Sequence, residues 1–319
     1  MDMTYLVTGG AGFIGSHLVD TLLARGARVV AYDNFNDYYD PARKRRNLAL
    51  AATHPNFTVV AGDLRDRDAL EQVFAQHKPT HVAHLGAMAG PRYSVAHPFL
   101  YEDVNIRATM HVLDLARLNA VQGMIIASTS SVYGALPTPW DESQSADLPL
   151  SPYAATKRAA ELLAYTYHYQ YGVPTRVLRF FTVYGPRGRP DMTPSLFVDA
   201  MRVGKPITLF DGGVGVYRDW TYVDDIVDGI VAALHTDIPF GTYNLGNSSP
   251  TELLAFVRQL EEITGYRAII DTKPLPAADP PRTYANIARA QSQLGFAPKT
   301  PLAVGLAAFW KWYRSEYDI

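Results

Sequence analysis

The chain reads as an α/β protein built on a doubly wound parallel Rossmann sheet, with a smaller, mixed α/β substrate-binding domain toward its C-terminus. Three observations carry that expectation. A strand-like run, Tyr5-Leu6-Val7-Thr8, leads into Gly9-Gly10-Ala11-Gly12-Phe13-Ile14-Gly15 and then an apolar helical pattern through Leu18, Leu22 and Leu23. A second strand pattern, Arg28-Val29-Val30-Ala31-Tyr32, ends on Asp33. Further strand patterns recur between helical ones at 57–61, 80–84, 124–127 and 175–179, the alternation that produces parallel sheets.

Composition sets the bounds. The 319 residues suffice for a well-buried core, and 48% hydrophobic with 19% charged residues is ordinary for a globular protein. Lys and Arg total 29 against 31 acids, a net of −2, so no nucleic-acid partner is implied. There is no cysteine, which removes disulfides, thiolate nucleophiles and Cys-ligated zinc; no metal site is expected. No run reaches the ~18 apolar residues of a membrane span, and strand-like sequence begins at Met3, so the expectation is a cytoplasmic protein without signal peptide or membrane partner.

Taken in order, the first element is the glycine turn. Gly9, Gly12 and Gly15 allow a tight turn, close approach of a pyrophosphate and packing of the helix on the strand, while the helix N-terminus offers free N–H groups. Asp33, about 20 residues on, suits the two hydroxyls of an adenine ribose and repels a 2′-phosphate, which favours NAD over NADP. In the basic run Arg43-Lys44-Arg45-Arg46 a pocket-facing residue would soften that preference, while most of the run reads as a solvated helix face. Strand ends at Gly62-Asp63-Leu64, Leu85-Gly86-Ala87 and Ser128-Thr129-Ser130 mark the carboxyl edge where open sheets bind ligands. Asp63 there either meets an adenine or caps the next helix. Ser151 is a good N-cap and Pro152 a good first residue for a helix that carries Tyr153 and Lys157 on one face. A cation beside a phenol favours the phenolate, so the pair is read as a general base with a lowered pKa.

Gly9-x-x-Gly12-x-x-Gly15, Asp33-Asn34, Gly62-Asp63-Leu64, Ser128 to Gly134 and Tyr153-x-x-x-Lys157 stand in the order seen in extended short-chain dehydrogenases/reductases, and the chain resembles the nucleotide-sugar epimerases among them. The resemblance implies NAD held by Gly9, Gly12, Phe13, Ile14, Gly15, Asp33, Asn34, Asp63, Leu64, Leu85, Ala87, Tyr153 and Lys157, with Thr129, Tyr153 and Lys157 catalytic. Asn34 to Pro41, Ala87 to Ser94 and Tyr184 to Met192 are similar to the UDP-glucuronate 4-epimerase subfamily. That implies transient oxidation of C4 of a UDP-sugar, rotation of the ketone and re-reduction. A uronate needs a cation, for which Arg189 is the candidate, with Ser94 or Ser130 and Thr182 as neutral donors and Pro91 beside them. Phe210 is expected against the uracil and Arg218 and Arg282 on the diphosphate.

The implied division is an NAD-binding Rossmann domain over residues 1–180, with returning segments near 220–247, and a mainly UDP-sugar-binding domain over 181–319. A homodimer is implied through a four-helix bundle of helices near 95–118 and 152–171. Phe309, Trp310, Trp312 and Tyr313 read as packing residues of a last helix. A UDP-glucuronate decarboxylase, a 4-epimerase of a neutral UDP-sugar and a non-catalytic NAD-binding sensor are the alternatives. A 4,6-dehydratase is disfavoured because Ser130 and Ser131 replace its Asp-Glu pair.

Overall fold

Hydrophobic strands joined by helices leave one economical arrangement, a sheet covered on both faces, and the computed structural model, which describes residues 3–276 and 279–319, has it. The first half runs β1 (Thr4–Thr8), α1 (Phe13–Ala24), β2 (Arg28–Asp33), α2 (Pro41–Asn47), β3 (Phe57–Ala61), α3 (Arg67–His77), β4 (His81–His84), α4 (Pro91–Ala96), α5 (Pro98–Glu102), α6 (Ala108–Leu118), β5 (Gly123–Thr129), α7 (Pro152–Tyr171) and β6 (Thr175–Phe180). The second half adds β7 (Thr182–Tyr184), α8 (Thr193–Arg202), β8 (Pro206–Phe210), β9 (Tyr217–Arg218), β10 (Trp220–Tyr222), α9 (Val223–His235), β11 (Phe240–Leu245), β12 (Thr251–Glu252), α10 (Leu253–Thr264), β13 (Ile269–Lys273), α11 (Ala288–Leu294) and α12 (Leu302–Tyr317).

Seven strands pair in the order β11-β6-β5-β4-β1-β2-β3, all parallel. Strand order reverses between β1 and β4, which opens a crevice at their carboxyl ends, the place where such sheets bind ligands. His84 ties that point together, its ring nitrogens 2.8 Å from Thr8 Oγ1 and 3.0 Å from Thr109 Oγ1. Residues of the second half, α9 and β11, return to this sheet; β11 pairs with β6 in register from Phe240↔Thr175 to Leu245↔Phe180.

The rest of the second half holds three two-stranded pairs, β10–β7, β12–β9 and β13–β8, around its own apolar cluster. Trp220 stacks on Phe256 at 4.1 Å there, and Phe309 and Tyr313 of α12 are fully buried. Among the described residues, no helix is long and apolar enough to cross a membrane. The helical stretch that precedes β5 runs from α5 into α6 through a π-helical turn at Asp103–Arg107, with right-handed helical backbone on both sides.

Candidate active site

The glycine turn is dictated by contact. Gly9 has φ +66°, and a Cβ on it would meet Gly86 at 2.8 Å. A Cβ on Gly15 would stand 2.2 Å from the Gly9 carbonyl, so only glycine lets α1 start against the turn. Gly12 is the N-cap of α1 and supplies no side-chain acceptor, so first-turn N–H groups remain for an anion. Asp33 is buried beside the turn, accepting from Ala11 N at 3.1 Å and Phe35 N at 2.9 Å.

These residues line a cavity of about 700 Å³ that also takes in Gly9, Phe13, Ile14, Asn34, Asp63, Leu64, Leu85, Ala87, Tyr153, Lys157 and Arg189. An anion-ready helix start, glycines that admit close approach and an acid at the β2 end together fit a dinucleotide. A larger cavity of about 890 Å³ lies between Met3, Arg25, Arg28 and His235, at the amino edge of the strands and away from every motif.

The structure narrows two readings near the cavity. Asp63 does not cap the next helix, because Asp66 accepts from Ala69 N and does so instead. Asp63 is gripped by Arg65 at 2.9 and 2.8 Å and by Asn34 Nδ2 at 3.1 Å, which holds its carboxyl well below the usual range. The basic run is not a uniformly solvated face. Arg43 and Lys44 are buried: Arg43 donates to Gly188 O and Tyr317 Oη, and Lys44 donates to Asn36 Oδ1 at 2.8 Å while lying 3.9 Å from Asp33 Oδ1. α12 and the loop after β7 pack over α2, a long-range event that a local charge count cannot see.

The Tyr153 helix begins as read: Ser151 Oγ accepts from Ala154 N at 3.2 Å and Pro152 occupies the first turn. The electrostatics differ from expectation. Burial pushes the Tyr153 phenol above its ordinary value, and the groups that pull it down are the Thr129 hydroxyl and the Arg189 charge, not Lys157. Lys157 instead donates to the Ala127 carbonyl at 2.7 Å, and burial lowers its own pKa to about 8 against the raising influence of Glu161. Thr129 Oγ1 accepts from Ser131 N at 3.1 Å, which fixes it at the end of β5.

Glu161, one turn beyond Lys157, was not foreseen as part of the site. It is buried and accepts from Ser128 Oγ at 2.5 Å, Arg158 at 2.9 Å and the fork of Arg179 at 2.9 and 2.7 Å. Ser128, the strand-end hydroxyl, is spent on this network.

On the sugar side the expected residues fall into two groups. Arg189 lies on the cavity wall, in a fork with Asp191, whose Oδ2 also accepts from Tyr38 Oη at 3.0 Å. Tyr38 packs edge-on to Tyr93 at 5.2 Å, and Tyr101 does so to Tyr153 at 6.1 Å. The three subfamily-like segments thus meet beside Tyr153. Thr182 is part-buried at the start of β7, and Ser130 opens the 3-10 turn after β5. Ser94 is fully buried, donates to Pro91 O at 2.5 Å and accepts from Tyr153 N at 3.0 Å, so in this structure its hydroxyl braces the helix start.

The second group is Phe210, Arg218 and Arg282. Arg282 lies over Tyr217 at 4.8 Å, and a backbone bridge sets it beside Tyr217, the neighbour of Arg218. Arg92 joins them from α4, 5.0 Å over the Phe210 ring and paired with Asp279 at 2.6 Å. Burial lowers the Arg218 pKa, Asp279 opposes this and Arg92 adds a smaller lowering, so an acid and a second guanidinium both act on it. Arg92 sits inside a quoted segment, but only the fold reveals that it faces this cluster.

Residues 5–246 match the model of the NAD dependent epimerase/dehydratase family. A probable UDP-glucuronate 4-epimerase from Rhizobium meliloti is 40% identical over 335 residues, spanning 99% of this chain and 98% of that protein. The solved UDP-glucuronic acid 4-epimerase from Bacillus cereus, in complex with UDP-glucuronic acid and NAD, superposes with a TM-score of 0.93 at 35% identity, covering 99% of this chain and 100% of that one. A UDP-glucose 4-epimerase from Thermotoga maritima, with UDP-glucose, superposes with a TM-score of 0.90 at 31% identity, covering 99% and 100%.

Proposed function

The chain belongs to the NAD-dependent epimerase/dehydratase family, and from that premise we propose that it interconverts UDP-glucuronate and UDP-galacturonate by inverting C4. The observation that carries the substrate is the meeting of Tyr38, Tyr93, Arg189 and Asp191 beside Tyr153, in a chain 40% identical end to end to a probable enzyme of that activity.

NAD, when bound, would supply a reversible hydride acceptor for the C4 oxidation. Gly9, Gly12, Phe13, Ile14 and Gly15 hold its pyrophosphate, Asp33 and Asn34 its adenine ribose, and Asp63, Leu64, Leu85 and Ala87 the walls around it. Tyr153 accepts the proton of the 4-hydroxyl, and Thr129 donates to the same oxygen. Lys157 holds the nicotinamide ribose. Because burial raises Tyr153, its phenolate depends on the groups that draw the pKa back down, first the Thr129 hydroxyl and then the Arg189 charge, part of which Asp191 offsets. Arg189 also receives the uronate carboxylate, with Thr182 and Ser130 as neutral donors beside Pro91. Arg218, Arg282 and Arg92 take the diphosphate, since guanidinium forks match its oxygens, and Phe210 packs on the uracil.

The ketone formed at C4 lies β to the carboxylate, so the product could also lose CO2. A carboxylate charge-paired in each seated pose resists departure as neutral CO2 there, which favours epimerisation. Incubation with UDP-glucuronate and product analysis decides: UDP-galacturonate is expected, whereas UDP-xylose with CO2 would identify a decarboxylase and refute the assignment.

A homodimer is the proposed assembly. Met110 of α6 and Leu162, Tyr165 and Tyr169 of α7 are exposed, with Phe99 of α5 84% exposed, an apolar face suited to a second copy.

A further inference from the structure

Arg189 already has an anion of its own. Its Nε and Nη2 donate to Oδ1 and Oδ2 of Asp191, both at 2.9 Å, the planar fork that makes such pairs strong. Tyr38 donates to Asp191 Oδ2 at 3.0 Å from a loop 153 residues away in sequence, and its ring lies 6.0 Å from the guanidinium. Burial pushes the Asp191 carboxyl up, but the Arg189 fork and Tyr38 more than reverse this, so Asp191 stays ionised. The fork occupies two of the five guanidinium N–H bonds and leaves the outer end of the group to a second acceptor.

That arrangement matters for an acid more than for a neutral sugar. Hydroxyls feel little of the local charge, whereas a second carboxylate meets a guanidinium already balanced by Asp191. It gains hydrogen bonds from the remaining N–H groups and is opposed by the first carboxylate. An unbalanced arginine would pin the uronate in one pose. Inversion requires the ketone to present both faces, so the carboxylate has to leave and seat again. On the reading that Arg189 receives the uronate, we infer that Asp191 is a specificity-setting residue: it tempers the Arg189 grip so that the acid is recognised yet released when the ring turns.

Asp191 has 36% of its side chain exposed, and a melting curve for each variant checks that it is folded before binding is measured. Asp191→Asn keeps the shape and an acceptor for Nε while removing the charge. The test measures dissociation constants of UDP-glucuronate and UDP-glucose for the NAD-loaded protein in a Tyr153→Phe background, where no turnover intervenes. Asp191→Asn should bind UDP-glucuronate about tenfold tighter and UDP-glucose within about twofold of the parent. Asp191→Ala should move acid affinity in the same direction, and the gain should vanish when Arg189 is also replaced by Ala. With Tyr153 intact, Asp191→Asn should lower both KM and kcat for UDP-glucuronate. Unchanged or weaker acid binding in both Asp191 variants overturns the role. A parent protein that binds UDP-glucose but not UDP-glucuronate removes the underlying reading as well, so the two failures are distinct.

Discussion

Replacing Glu161 with Gln separates what holds this site together from what charges it. Glu161 and Arg179 are 2% and 3% exposed at their side chains, and the Arg179 fork spans both Glu161 oxygens at 2.9 and 2.7 Å. Removing one partner of a buried pair costs about 3–5 kcal/mol; a Gln amide still accepts one bond, which puts the loss near ~3 kcal/mol. At an unfolding entropy of about 2.1 cal/mol/K per residue, that is a fall of roughly 4–5 °C in Tm for a chain of this length. The second consequence is electrostatic. Burial lowers Lys157 to about 8, and Glu161 is the group that opposes this. A neutral amide at position 161 removes that opposing charge, so the Lys157 pKa should fall further.

If Lys157 acts as the ammonium, activity is kept below its pKa and lost above. The alkaline limb of kcat/KM should therefore lie near the value of about 8 in the parent and move to lower pH in Glu161→Gln. Stability runs the opposite way. Between about 8 and the ordinary 10.5 the unfolded chain binds the proton that the folded chain has shed, so this group's contribution rises with pH. Calorimetric melting and pH–rate profiles of the NAD-loaded enzyme check both parts. A lower Tm with an unmoved alkaline limb would refute the coupling of Glu161 to Lys157; an unmoved Tm would refute the buried-pair argument.

Tyr153→Phe keeps the ring and its packing but removes the proton acceptor, so NAD binding should survive while turnover falls about 10²–10⁴-fold; retention of a tenth of the rate would place the base elsewhere. Gly15→Ala sets a methyl 2.2 Å from the Gly9 carbonyl, so the purified protein should have lost its NAD and melt lower; full cofactor content would contradict the close-approach reading. Leu162→Glu with Tyr169→Glu places two charges on the exposed α7 face, and light scattering should then report a monomer if that face joins two copies. An unchanged mass would remove the proposed interface.

Elements whose cause is local were legible in the sequence. The β1–turn–α1 unit followed from apolar run, glycine spacing and helical period; the α7 start followed from Ser151 and Pro152; strand alternation with helices implied a parallel sheet. Each depends on residues within one turn or one strand, so neighbours in sequence are neighbours in space. Charge states were not legible, because they depend on what distant elements deliver. Tyr153 and Lys157 share a helix face, yet the Ala127 carbonyl takes the ammonium, and Thr129 and Arg189 are what lower the phenol. Ser94 looked free until the Tyr153 amide and the Pro91 carbonyl claimed its hydroxyl. Arg189 has its acid only two residues on, but it is Tyr38 from a distant loop that completes the pair, and Lys44 looked like a surface charge until α2 was covered. Spacing decides which side chains share a face; desolvation and pairing are properties of the assembled interior, and they alone decide what those side chains carry.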